Sequence, residues 1–167
     1  NLAIRRIVLS REKAQQLKAV LRQNTALQSL YLMSSALGSA GLGEIAPVLY
    51  RNTSIKTLDL ARNGLDDIES AHVLRELLRR NKTITYLSLA QSTFGSNAVA
   101  TRSISEGVRS NTALQQLDLG RCGLGDDGIS ILANALPIRN ASILELDLRW
   151  NEITSAGLRA MVDDNVE

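Results

Sequence analysis

The sequence predicts an α/β solenoid: a curved, right-handed β-α superhelix with a parallel sheet on the concave face and helices on the convex face. Three observations predict it. Rows of the form L-x-x-L-x-L begin at Ile4, Leu27, Ile55, Ile84, Leu114 and Ile143, with spacings of 23, 28, 29, 30 and 29 residues. An Asn stands three residues before each row, at Asn1, Asn24, Asn52, Asn81, Asn111 and Asn140. Between rows, apolar residues recur at helical spacing. Self-similarity at such a period is the mark of stacked supersecondary units. A unit of this kind cannot bury its own strand and helix stripe, so neighbours must stack.

Each row reads as a short strand. In Leu117-Asp118-Leu119 the leucines alternate with a polar residue, which places one face inside and the other outside. Three residues after the last apolar position the chain turns out of the strand, at Glu12, Ser35, Asn63, Ser92, Cys122 and Asn151. A side chain at that place points inward and serves the unpaired backbone groups of the turn. Asn does this best, so less regular turns are expected at Ser35, Ser92 and Cys122.

Helices follow the turns. Leu17-Val20-Leu21, Ile45-Val48-Leu49, Leu74-Leu77-Leu78, Ala100-Ile104-Val108, Ile129-Leu132-Ala133-Leu136 and Leu158-Met161-Val162 are the apolar stripes. Asp126 or Asp127 is the expected cap of the fifth helix, and Pro137 its stop. Pro47 is expected within the first turns of its helix, where the missing N–H costs least. The first repeat reads as about five residues short between Glu12 and Leu17. The repeat from Ile55 has Ile68-Glu69-Ser70 where others have a glycine, and the repeat from Ile84 has extra residues around Ser96 to Thr101.

Composition agrees with one domain over residues 1–167. Hydrophobic residues make up 44% but aromatics only 3%, so the core is aliphatic. With 19 basic and 17 acidic residues the net charge is +2, which argues for neither nucleic acid nor an anionic membrane surface. No apolar run approaches the ~18 residues of a membrane span. One cysteine permits no intrachain disulfide, which favours a reducing compartment. The chain does not begin with Met, as expected of a piece of something longer.

Catalytic signals are weak. His72 and Cys122 are the single residues of their kinds. The first is expected on the outer surface and the second inside a turn, so no nucleophile and base assemble. A His/Cys metal cluster is equally out of reach, and no cofactor is implied. Gly123-Leu-Gly-Asp-Asp-Gly128 resembles a phosphate loop but lacks its Lys, and similar loops recur in other repeats. The sequons at Asn52, Asn81 and Asn140 fall on the repeat-closing Asn and follow from repeat geometry.

The concave face is the candidate site. Its middle column reads Val8, Tyr31, Asp59, Ser88, Asp118 and Asp147, and the preceding column Arg6, Ser29, Thr57, Tyr86, Gln116 and Glu145. Arg11, Arg62, Gln91, Arg121 and the pair Arg149-Trp150 follow the strands. Acids thus sit in the strands, Arg along one rim, and Tyr31, Met33, Tyr86 and Trp150 are anchors. Trp, Tyr and Arg are the types that dominate interface energy. On the outer helices Arg75, Arg79, Arg80 and Lys82 gather near Arg51 and read as a solvated face.

The repeat from Leu114 to Asn140, with Leu124, Gly125, Asp126, Gly128, Leu132, Ala133 and Leu136, resembles the ribonuclease-inhibitor type of leucine-rich repeat. Leu27 to Asn52 matches it through Leu37, Gly38, Gly41, Ile45, Ala46 and Leu49. That family includes ribonuclease inhibitors, NOD-like receptors, the Ran GTPase-activating protein, tropomodulin-type actin cappers and effectors of intracellular bacteria. The Asn-closed, Cys-poor repeats look closer to NOD-like receptors and bacterial effectors than to the Cys-rich inhibitor. The resemblance implies a non-enzymatic scaffold binding a protein partner, in the cytoplasm or, for an effector, in a host cytoplasm. Two alternatives stay open: a GTPase regulator using Arg62 or Arg121, and a structural segment of a longer sensor or effector.

Overall fold

A computed structural model describes residues 1–4, 6–135 and 142–163. Strands and helices alternate: β1 (Leu2–Ala3), α1 (Arg11–Gln23), β2 (Ser29–Tyr31), α2 (Gly38–Leu49), β3 (Thr57–Asp59), α3 (Ile68–Arg80) and β4 (Tyr86–Ser88). A 3-10 turn (Thr93–Ser96), α4 (Ala98–Ser110), β5 (Gln116–Asp118), α5 (Gly125–Ala135), β6 (Glu145–Asp147) and α6 (Ser155–Asp163) complete it. The strands form one parallel sheet in chain order, β1 to β6. The middle residue of each row joins one column, Leu30, Leu58, Leu87, Leu117 and Leu146. Leu30, Leu58, Leu87 and Leu117 are buried, and each helix packs on its neighbour.

The first row corrects the sequence reading. Leu2 pairs with Leu30 and Ala3 with Tyr31. The strand therefore lies five residues upstream of Ile7-Val8, and those two side chains are 51% and 62% exposed. The spacing from Leu2 to Leu30 is a full 28 residues, so the first repeat is not short. Glu12 belongs to α1, and the place expected for it falls to Ile7. Asn1 precedes β1 directly.

The repeat-closing asparagines act as staples. In Asn24, Asn52, Asn81 and Asn111, Oδ1 accepts from the amides two and three residues on, at 2.7–3.0 Å. The Nδ2 of Asn81 donates to Leu49 O and Asn52 O, and that of Asn111 to Leu78 O and Asn81 O. One side chain thus closes its own turn and ties down the helix end of the repeat before it. Asn81 is buried with its amide committed, which leaves no room for a glycan there.

The inward asparagines work the same way. Asn63 accepts from Ser35 N and Leu37 N and donates to Leu32 O, Leu60 O and Ala61 O. Asn151 does likewise for Cys122 N and Leu124 N, and for Leu119 O, Leu148 O and Arg149 O. Each therefore serves the turn of the preceding repeat as well as its own. This is why the turns at Ser35 and Cys122 keep the regular left-handed pair, at Ser34/Ala36 and Arg121/Gly123. The turn at Ser92 is irregular, as expected. Thr93 is β-branched and disfavours a positive φ, and the chain closes through Ser92 N to Leu89 O instead.

Several helix details differ from expectation. Pro47 lies in the last turn of α2 rather than the first, exposed, where it forgoes the bond to the Gly43 carbonyl. Asp126 and Asp127 fall inside the first turn of α5, and Asp126 accepts from Thr154 N and Oγ1 of the next repeat. Val20 and Leu158 are exposed: among the described residues, α1 and α6 each pack on a helix on one side alone. The stripe of α1 is Ala14, Leu17 and Leu21. The expected features at Leu136, Pro137, Asn140 and the 164–167 tail lie outside the described residues, as does the side chain of Val162.

Candidate functional site: the concave sheet face

The parallel register builds this face in columns. Tyr31, Asp59, Ser88, Asp118 and Asp147 are paired rung by rung, as are Ser29, Thr57, Tyr86, Gln116 and Glu145. Ala3 takes the place expected for Val8. Arg6 moves from the earlier column to the turn, where Arg6, Ser34, Arg62, Gln91, Arg121 and Trp150 share a φ of 56–62°. Arg149 and Met33 stand one residue earlier, beside Ala61, Ala90 and Gly120. Arg11 is not on this face: it opens α1 and its Nε meets Glu44 Oε1 of α2 at 2.9 Å.

The middle-column acids hold the turn as well as facing solvent. Asp59 accepts from Ala61 N, Asp118 from Gly120 N and Asp147 from Arg149 N, each through Oδ1 at 2.9–3.0 Å. The L-D-L acid is therefore a local cap, with one oxygen spent on the backbone. Asp118 Oδ2 takes the hydroxyl of buried Ser88 at 2.8 Å, linking two rungs. Asp147 holds the Arg149 guanidinium with both oxygens. That guanidinium keeps the carboxyl below its usual range.

Tyr86 is half-buried among these acids. Burial, then the charges of Asp118 and Asp59, push its phenol above the ordinary value. It is therefore neutral, with a hydroxyl set in a negative field. Tyr31 and Met33 are also half-buried. Gln116 Nε2 reaches Glu145 Oε2 at 2.8 Å, and Arg62 Nε reaches Gln91 Oε1 at 2.8 Å.

At the far end Trp150 is 74% exposed, with the Arg121 guanidinium 5.2 Å from its ring centre. Asp118, Arg121, Asp147, Arg149 and Trp150 thus meet on two adjacent rungs, whereas Tyr31 and Met33 lie three rungs away. The positive-φ column was not legible from residue type, because none of its six members is the Asn or Gly that marks such positions.

Of the residues weighed for catalysis, Cys122 is fully buried, its Sγ against Leu89 O, and burial pushes the thiol up to about 12. His72 is exposed on α3. Among the described residues no group of His, Cys, Asp and Glu is placed to hold a metal ion, and no helix is long and apolar enough to cross a membrane. The outer-helix arginines are engaged: Arg79 and Arg80 on Glu76, Arg75 on Glu106.

Known proteins share this architecture. A family model described as Leucine Rich repeat matches residues 51–68, 110–133 and 139–162. NACHT, LRR and PYD domains-containing protein 12 of Mus musculus is 34% identical over 129 residues, which are 77% of this chain and 12% of that protein. Protein 14 of the same series and species is 29% identical over 149 residues, 88% of this chain and 15% of that one. Ribonuclease inhibitor of Mus musculus is 28% identical over 172 residues, 86% of this chain and 37% of the inhibitor. The chain therefore spans well under half the length of these relatives.

Among solved structures, leiomodin-1 actin-binding site 2 superposes with a TM-score of 0.66 at 23% identity, covering 92% of this chain and 84% of that one. The Caenorhabditis elegans tropomodulin C-terminal domain gives 0.63 at 17%, covering 90% and 89%. These two speak for the fold. The 28- to 30-residue strand–turn–helix unit, its parallel rungs and its sequence matches agree: the chain is a leucine-rich-repeat protein of the ribonuclease-inhibitor type, with repeats like those of NOD-like receptors.

Proposed function

We propose that this chain is a non-enzymatic scaffold that holds a protein partner on its concave face. The strongest contacts fall on the rungs of β5 and β6. The observation that carries this is Trp150. A large apolar ring is held out in solvent at a positive φ, stacked by Arg121 and flanked by the Asp147–Arg149 pair. Exposure of an indole costs solubility, whereas Trp and Arg together make effective interface anchors. A buried thiol with a raised pKa is no nucleophile at neutral pH, which supports the non-enzymatic reading. One structural neighbour is itself an actin-binding site, so a solenoid of this size is sufficient to engage a protein.

The test is affinity capture from lysate with the wild type, with Arg121→Ala/Trp150→Ala, and with His72→Ala on the convex side. These substitutions spare the aspartates that cap the turns. Loss of specific partners in the double variant alone is the expected result. An identical partner set for all three proteins would overturn the concave-face reading.

A further inference from the structure

A second surface, away from the concave face, has the chemistry of an anion site. The C-terminal ends of α1 and α2, with the loops after them, frame an open cleft of about 600 Å³. Lys18, Arg22, Arg51 and Arg80 line it, together with Tyr50 and Pro47, and no carboxylate does. In a chain of net charge +2, four cations from three successive repeats on one cleft is a local excess.

The neighbouring acids pair with two of the four, Lys18 and Arg80, so the excess rests on Arg22 and Arg51. Glu44 is shared between Arg11 and Lys18, and Glu76 between Arg79 and Arg80. Among the described residues, the side chains of Arg22 and Arg51 make no hydrogen bond or ion pair, and both are exposed. Arg80 lies over the Tyr50 ring at 5.4 Å, so its guanidinium is already positioned at the rim.

Basic residues at helix C-termini are ordinarily explained by the helix dipole. That explanation is incomplete for α2. The carbonyls of Leu49 and Asn52 are already taken by the side-chain amide of Asn81, at 2.7 and 3.2 Å. Arg51 is not needed to cap them. A guanidinium left unpaired in a cleft is fitted to carboxylates, which it binds through two parallel hydrogen bonds.

We propose that this cleft docks an acidic peptide segment of a protein partner, with carboxylates seated on Arg22 and Arg51 and Lys18 and Arg80 as flanking charges. The site does not depend on the concave-face reading. Fluorescence anisotropy with a labelled octaglutamate peptide at low salt tests it. Arg22→Ala/Arg51→Ala is compared with Arg102→Ala/Arg109→Ala, which removes the same charge from α4. The expected result is binding by the wild type, weakened at least about fivefold by the first pair and unchanged by the second. No binding by the wild type, or equal losses in both variants, overturns the proposal. Tighter binding of a single-stranded oligonucleotide of equal charge, lost in the same variant, overturns the peptide assignment.

Discussion

Replacing Asn63 by Ala removes a side chain that makes five hydrogen bonds from a position 1% exposed. Loss of Oδ1 leaves the Ser35 and Leu37 amides without their acceptor in the core. Loss of Nδ2 frees the carbonyls of Leu32, Leu60 and Ala61. A buried orphaned amide costs ~1–3 kcal/mol, and a carbonyl with a second lone pair costs less. The expected destabilisation is therefore ~3–5 kcal/mol. For a domain of this size that lowers the melting temperature by about 6–20 °C. Thermal and urea unfolding followed by circular dichroism measure it. Native-state hydrogen exchange locates it: Ser35 and Leu37, one repeat upstream of the substitution, must lose protection. A loss below about 1 kcal/mol, or exchange confined to residues 61–65, would refute the staple between repeats.

Other consequences are as specific. Gly95→Ala places a Cβ 2.6 Å from the Gly123 carbonyl and Leu124 N, so it should destabilise by ~1–3 kcal/mol in the same unfolding assay. Glu76, held by Arg79 and then Arg80, titrates at about 2 instead of near 4.5. Its stabilising effect is complete above pH 4.5 and fades as pH falls toward 2. Glu76→Gln should flatten that part of the acid-unfolding profile, by little because the pair is solvent-screened. Cys122 should resist a thiol reagent at pH 8 in the folded protein and react at once in urea. Rapid labelling of the native chain would contradict its burial.

The repeat phase was legible from Leu27 onward because two markers, the row and the closing Asn, kept step. The first row failed because Ile4-Arg-Arg-Ile7-Val8-Leu9 imitates the pattern. The clue lay in the spacing of 23: a stack of like rungs does not easily lose five residues from one repeat, and Leu2 restores 28. The concave columns were legible wherever the row was. The αL column was not, because its residues were grouped with whatever stood near the strand end. That merged Arg149 with Trp150, whereas Arg11 entered through the misplaced first row, two residues after Leu9. The cap role of Asp59, Asp118 and Asp147 depends on where a backbone amide points two residues later, which alternation does not encode. The helix stripes were read well in the middle of the stack and poorly in α1 and α6, where, among the described residues, Val20 and Leu158 have no second helix to pack on.

On the proposed function, the concave rungs around Trp150 meet a protein. Site-specific photo-crosslinking tests it most directly, with a benzophenone residue at position 150 compared with one at position 72 on the convex helices. A discrete crosslinked protein is expected from position 150 and none from position 72. Crosslinks from position 72 alone, or the same products from both, would contradict it.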